Sequence, residues 1–175
     1  FIASAPPRAA FEALLQEVLV LTQSAFGVVG QVEHPPGQAP LLRVHAITDI
    51  SWDDASRARY AQVAEQGMVF DNPQSLVGAA LISGEPLISN QPASDPRSGG
   101  LPHGHPPLTA FMGLPIHAAG QLVAMVGVAN RAGGYSSADV HFLQPLLNSV
   151  GQLEMARRAD IERREVEARW RSLTQ

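Results

Sequence analysis

Residues 110–130 read AFMGLPIHAAGQLVAMVGVAN. Two apolar runs, 110–117 and 121–130, flank Ala118-Ala119-Gly120, which is the pattern of a β-hairpin closed by small turn residues. The second run is apolar on both faces, with Leu122, Ala124, Val126 and Val128 on one and Val123, Met125 and Ala129 on the other. Such a strand needs cover above and below, so it belongs at the centre of a sheet with a layer on each side. Pro115, inside the first run, has no N–H to give to a ladder and by itself argues for an edge or a bulge.

Upstream, Phe11, Leu14, Leu15, Val18, Leu21 and Thr22 recur at helical spacing and predict an amphipathic helix over roughly 8–24, ended by Gly27. Val28, Val29 and Val32 then begin a strand. After the turn at His34-Pro35-Pro36-Gly37, Leu42, Val44 and Ala46 alternate with Arg43 and His45, as in a half-exposed edge strand. Asp53 and Asp54 suit the start of a second helix over 55–66, stopped by Gly67. Asn72-Pro73 reads as cap and first turn of a third, with Leu76, Val77, Ala80 and Leu81 on its buried face and Gly84 as its stop. Pro86 to Ser89 is a short strand, and 90–107, with five Pro and three Gly, is a long loop of the kind that is functional or disordered.

Downstream, Ser136 or Ser137 caps a long final helix with Asp139 in its first turn and Val140, Leu143, Leu147, Val150 and Leu153 on its core face. Past Leu153 the character changes. Residues 154–171 carry six Arg and five acidic residues, while the other 157 residues carry six Arg and eleven acidic ones. Glu154–Arg158, Asp160–Arg164, Glu165–Arg169 and Glu167–Arg171 are acid-to-base pairs at i,i+4, the pattern of an exposed helix. Ile161, Val166, Trp170 and Leu173 add a sparse apolar seam that points to a partner helix. The division expected is therefore a charge-poor domain over 1–153 and a charged helix over 154–175.

Composition narrows the chemistry. A chain of 175 residues, 45% hydrophobic, can bury a core as one large domain. It has no cysteine, which excludes disulfides, zinc–thiolate sites, iron–sulfur clusters and thiol nucleophiles. All twelve of its Lys/Arg positions are Arg, which removes a Schiff-base or phosphate-loop lysine. The net charge of -4 argues against a nucleic-acid surface. No apolar run approaches the roughly 18 residues of a membrane span. The start at Phe1 in place of Met, with no signal peptide, suggests a piece of a longer cytoplasmic protein.

The order of elements, with Asn72-Pro73 and Ser75-Leu76, Ser83-Gly84-Glu85-Pro86-Leu87-Ile88, Asp95-Pro96-Arg97, Gly104-His105-Pro106-Pro107-Leu108, Phe111 to Ile116 and Leu122-Val123 through Gly127 to Asn130-Arg131, resembles the GAF domain of bacterial signalling proteins. The resemblance runs from about residue 9 to 153 and implies an α+β fold. A central antiparallel sheet would carry the terminal helices on one face and a ligand pocket on the other. It also makes Pro115 a family feature, and implies a homodimer through the terminal helices and a downstream output domain, a histidine kinase or a diguanylate cyclase of GGDEF type. Cyclic-nucleotide-binding members carry an Asn-Lys, Phe, Asp-Glu signature. Here Asn130 and Asp139 remain, but Arg131, Tyr135 and Val140 stand at the other places, so the resemblance does not extend to that ligand. Arg131 and Asp139 are left as a structural salt bridge. Members that reduce methionine sulfoxide, and those that attach a bilin covalently, use cysteines that this chain lacks.

Candidate ligand residues, by analogy with where such pockets lie, are Phe70, Leu76, Ala80, Asn90, Asp95, Arg97, His105 and Phe111. An Arg beside backbone donors can take a carboxylate or phosphate, but Asp95 before Pro96 can equally cap a turn and pair with Arg97 locally. His103-Gly104-His105 has the alternate spacing of a metal or haem site, although His105 more simply braces its loop. No nucleophile elbow or triad is present, so no enzymatic activity is expected of these residues. The expected function is a sensory module that binds a small molecule, dimerises, or both, and relays a signal through its last helix. A ligand-free dimerisation module, or a metal or haem sensor through His103 and His105, are the alternatives.

Overall fold

The computed structural model describes residues 7–48, 54, 55, 57, 58, 61, 62, 67–101 and 104–174. Helix α1 (Pro7–Thr22) buries Phe11, Leu15, Val18 and Leu19, while Leu21 is exposed. The helix ends before Gly27. Gln23 takes the left-handed conformation (φ 53°), Thr22 Oγ1 donates to the Val18 carbonyl, and Gly27 lies inside the first strand. Strands β1 (Phe26–Glu33) and β2 (Leu41–Ile47) form the first hairpin. The helix expected over 55–66, with its start at Asp53, lies largely outside the described residues, although Asp54, Ala55, Arg57, Ala58, Ala61 and Gln62 are helical.

Strand β3 (Val69–Phe70), α2 (Leu76–Ser83), β4 (Leu87–Ser89), β5 (Phe111–Ala118), β6 (Gln121–Ala129) and α3 (Ser137–Leu173) complete the order. The sheet is six-stranded and antiparallel throughout, in the order β3-β2-β1-β6-β5-β4. The strand apolar on both faces, β6, sits between β1 and β5, as its pattern requires. The second strand is not the edge. Two-residue β3 pairs with it through Leu42 and Arg43, a contact too short to leave a sequence pattern. Pro115 is accommodated because β4 pairs only with Phe111–Gly113 and ends short of it, so no neighbour on that side needs its N–H.

The sheet separates two apolar layers. Val29, Val123, Val126 and Met112 pack against α1 and α3, while Val28, Val32 and Met125 pack against α2. The cap of α2 is Ser75, three residues after Asn72. Its hydroxyl accepts from Gly78 N–H at 3.0 Å, and Asn72 instead holds the preceding turn by accepting from Gln74 N–H at 2.9 Å. Helix α3 starts at Ser136 with a capping box in which the Asp139 carboxylate accepts from the Ser136 N–H at 2.7 Å. No helix among the described residues is long and apolar enough to cross a membrane.

Two asparagines bracket the long loop. The Asn90 amide accepts from Tyr135 N–H at 2.9 Å and donates to the Tyr135 carbonyl at 3.0 Å. It packs so closely on Gly134 (φ 79°) that a Cβ there would stand 2.5 Å from Asn90 Oδ1. Asn130 (φ 62°) accepts from Thr109 N–H and donates to the Pro107 carbonyl at the loop's far end. Replacing Asn90→Ala deletes both bonds to Tyr135, and we expect a loss of about 1–2 kcal/mol. It is read as a lower urea midpoint with an unchanged denaturant slope.

Candidate functional site

On the α2 face the sheet does not meet its covering layer everywhere, and a cavity of about 280 Å³ remains. Its floor is the middle of the sheet, at Gly27, Val28, Gly127 and Val128. Strand β3 and the first turn of α2 form one wall, and Ser98, Gly100, Leu101, His105 and Leu108 form the other. Phe111 closes the inner end. Its ring lies over Gly113 and Gly127, where a Cβ would stand 3.1 and 3.4 Å from the ring carbons, so a side chain at Gly113 would crowd the ring while one at Gly127 would just touch it. His105 stands edge-on to Phe26, with ring centroids 6.1 Å apart, and its Nδ1 donates to the Pro106 carbonyl at 2.6 Å. Nearly all of the lining is apolar. Among the described lining residues Asp71 is the only carboxylate, and no arginine reaches the cavity.

Of the residues singled out from sequence, Phe70, Leu76, His105 and Phe111 come together here. Ala80 is fully buried in the α2 layer against Gly113 and does not line the space. Asn90, Asp95 and Arg97 lie elsewhere. Arg97 donates to both Asp95 oxygens, at 2.9 and 2.6 Å, and to the Ile88 carbonyl at 3.2 Å, stitching the loop to β4. Those bonds from Arg97 hold the Asp95 carboxyl well below the usual range. The fork is therefore spent locally. Arg131 donates to Asp139 at the start of α3. His103 lies outside the described residues, among which no group of three or more His, Asp or Glu is placed to hold a metal. Val28, Thr48, Leu101 and Leu108 also line the cavity. No local motif announces them, since each is an ordinary strand or loop residue until the fold brings them together.

The opposite face carries a second arrangement that the sequence pattern misrepresents. Glu154, expected on an exposed helix, is 0% exposed. Its carboxylate accepts from Arg157 Nε at 2.9 Å and Arg158 Nε at 2.8 Å, with His45 Nε2 at 3.4 Å. Arg157 continues to the Gln31 side chain, and Arg158 donates at 3.1 Å to the carbonyls of Val32 and Val123. His45 also stacks on Phe11 at 4.6 Å, which brings α1 into the same cluster. The tail thus leaves the body later than its charges imply. From Ile161 to Thr174 every residue is exposed, including Trp170 at 66% and Leu173 at 79%.

A family model described as GAF domain matches residues 4–153, and the chain belongs to that family. As a class these are regulatory modules. Over 104 residues the chain is 29% identical to the methyl sulfide methyltransferase-associated sensor of Methanosarcina acetivorans, a stretch that is 59% of this chain and only 10% of that protein. In structure it is similar to the GAF domain of a phosphoenolpyruvate-protein phosphotransferase from Coxiella burnetii, at 14% identity and a TM-score of 0.72, covering 91% of this chain and 89% of that one. It is also similar to the type II free methionine-R-sulfoxide reductase of Thermoplasma acidophilum, at 12% identity and a TM-score of 0.62, covering 85% and 92%. At these identities the structural likeness is one of fold.

Burial by itself would raise the Glu154 pKa, but the polar contacts from His45, Arg157 and Arg158 outweigh it and bring the group down to about 2. A pKa lower in the folded than in the unfolded chain contributes stability above the unfolded value, here about 4.5, and that contribution drains away as pH falls toward about 2. Glu154→Gln should therefore flatten the acid limb of stability between those limits. At neutral pH it should cost about 2–3 kcal/mol, because two partly buried arginines lose their counter-ion. Urea unfolding of both proteins at a series of pH values checks each part.

Proposed function

We propose that this GAF domain is the sensory module of a larger signalling protein, taking a small molecule into the apolar cavity and passing its occupancy to a following output domain through α3. The observation that carries this reading is that one strand serves both sites. Strand β1 gives Val28 to the cavity on one face, while Gln31 and the Val32 carbonyl hold Arg157 and Arg158 on the other. A shift of β1 by a few tenths of an ångström on filling the cavity re-aims both anchors at the root of the exposed helix. The relay needs two packings of α3 that differ by a few kcal/mol, with the ligand favouring one. The curated relative is itself a sensor, which agrees with this role.

The exposed seam of Val166, Trp170 and Leu173 suits pairing with the same helix of a second copy, so that both protomers turn together about a two-fold axis. A histidine kinase or a diguanylate cyclase is the kind of output such a helix drives. Trp170→Ala should weaken self-association at least tenfold in sedimentation equilibrium, leaving the fold of the body unchanged. For the relay, the protein is loaded with the neutral fluorophore N-phenyl-1-naphthylamine, and backbone hydrogen exchange is followed by mass spectrometry. Exchange over residues 154–165 should change at least threefold, and unchanged exchange at full loading would sink the relay.

A further inference from the structure

The sensor reading leaves the chemical class of the ligand open, and the charge distribution around the cavity supplies it. None of the described arginines lines the space. Arg97 is the one on the long loop, and its guanidinium is bound to Asp95 and to the Ile88 carbonyl. Arg43 on β2 pairs with Glu33, and Arg131 pairs with Asp139. The chain has no lysine to take their place. The start of α2 borders the cavity, and there the Ser75 hydroxyl takes the Gly78 N–H and the Ser75 carbonyl takes the Ala79 N–H. The only carboxylate among the described lining residues is the exposed Asp71, which has the sign of an anionic ligand.

An anion moved from water into such a space would lose its hydration and meet no arginine or lysine among the described lining residues, a cost that an apolar site does not repay. A neutral molecule meets no such cost. It would gain contact with Phe26, Phe70, Leu76, Leu108 and Phe111 over most of its surface, and the aromatic rings favour a flat partner. The volume of about 280 Å³ lies at the lower end of small-molecule sites and limits the size. We infer that the cavity takes an uncharged, largely aromatic or aliphatic molecule of one to three rings and rejects nucleotides, phosphates and carboxylates. The inference rests on the sensor reading for the cavity's being a ligand site at all.

A matched pair of probes tests it on the full chain. N-phenyl-1-naphthylamine and 8-anilino-1-naphthalenesulfonate share one aryl-naphthylamine frame and differ by a sulfonate. Each is titrated by fluorescence against the protein and against Leu108→Trp and Val69→Phe, which fill the cavity from opposite walls. Leu108 and Val69 are both half-buried, so the added bulk enters the empty space without displacing the core. Circular dichroism confirms that each variant is folded, and cavity binding is taken as the part lost in both. The neutral probe should saturate at one per chain, lose at least tenfold in affinity in both variants, and bind at least tenfold tighter than its sulfonate. Equal or tighter cavity binding of the sulfonate, or of 2-oxoglutarate or cyclic AMP in competition, would overturn the inference, and so would a neutral probe that never saturates. Charge preference and relay fail separately. Binding as described with silent exchange at 154–165 supports the ligand class and removes the relay, whereas an anion that binds and changes that exchange removes the class and leaves the sensor.

Discussion

The carboxylate of Glu154 is the constraint on which the arrangement of helices and sheet depends. A carboxylate sealed from water costs several kcal/mol unless charge and hydrogen bonds are brought to it. Here the supply comes from Arg157 and Arg158 one turn along the same helix, with the His45 ring of β2 3.4 Å away. The two arginines then spend their remaining donors on β1 and β6, at Gln31, Val32 and Val123. Apolar packing is not directional, and by itself would tolerate α3 sliding over Val29 and Val126. A helix whose one buried charge has a single satisfied position cannot slide. The cluster thus sets where the helix sits, and so the direction in which residues 161–174 leave the body.

That placement makes the sheet a wall shared by two sites of opposite character. On one side lies a nearly uncharged cavity, and on the other a concentrated knot of charge, with β1 and β6 between them. The sequence of β1 alternates accordingly. Val28 and Val32 face the α2 layer, while Val29 and Gln31 face the terminal helices. The ladder between β1 and β2 slips register between Val29 and Gly30, just where the strand passes from cavity floor to helix anchor.

The hairpin at 110–130 and the periodic first and last helices were readable from local pattern, because burial on one or both faces leaves a period in the sequence. So was the family, from motifs spaced along the chain. The cavity was half readable. Phe70, Leu76, His105 and Phe111 fall at places the resemblance marks, but whether a side chain faces open space depends on neighbours drawn from six elements. Arg97 shows the limit of reading residue type. Its fork suits an anion, and only the positions of Asp95 and the Ile88 carbonyl reveal that it is already occupied. Glu154 shows the limit of reading spacing. An acid followed by Arg at i+4 looks the same on a solvated helix and in a buried cluster, and the residues that decide, His45, Gln31 and Val32, lie more than a hundred positions away.

The charge contrast across the sheet also bears on how the two sites communicate. An anionic ligand beneath β1 would act on Arg157 and Arg158 through its field, weakening their hold on Glu154 with no movement of the strand. An uncharged occupant has no such field, so its only means of reaching α3 is to move atoms. Of the atoms available, those of β1 and β6 are in contact with both sides. The backbone carbonyl of Val32 accepts from Arg158 at 3.1 Å, so a displacement of β1 stretches or bends a bond that anchors the helix. A neutral cavity and a charged anchor are in this sense complementary. The first makes the signal mechanical, and the second makes the helix sensitive to displacements too small to disturb the apolar packing around it.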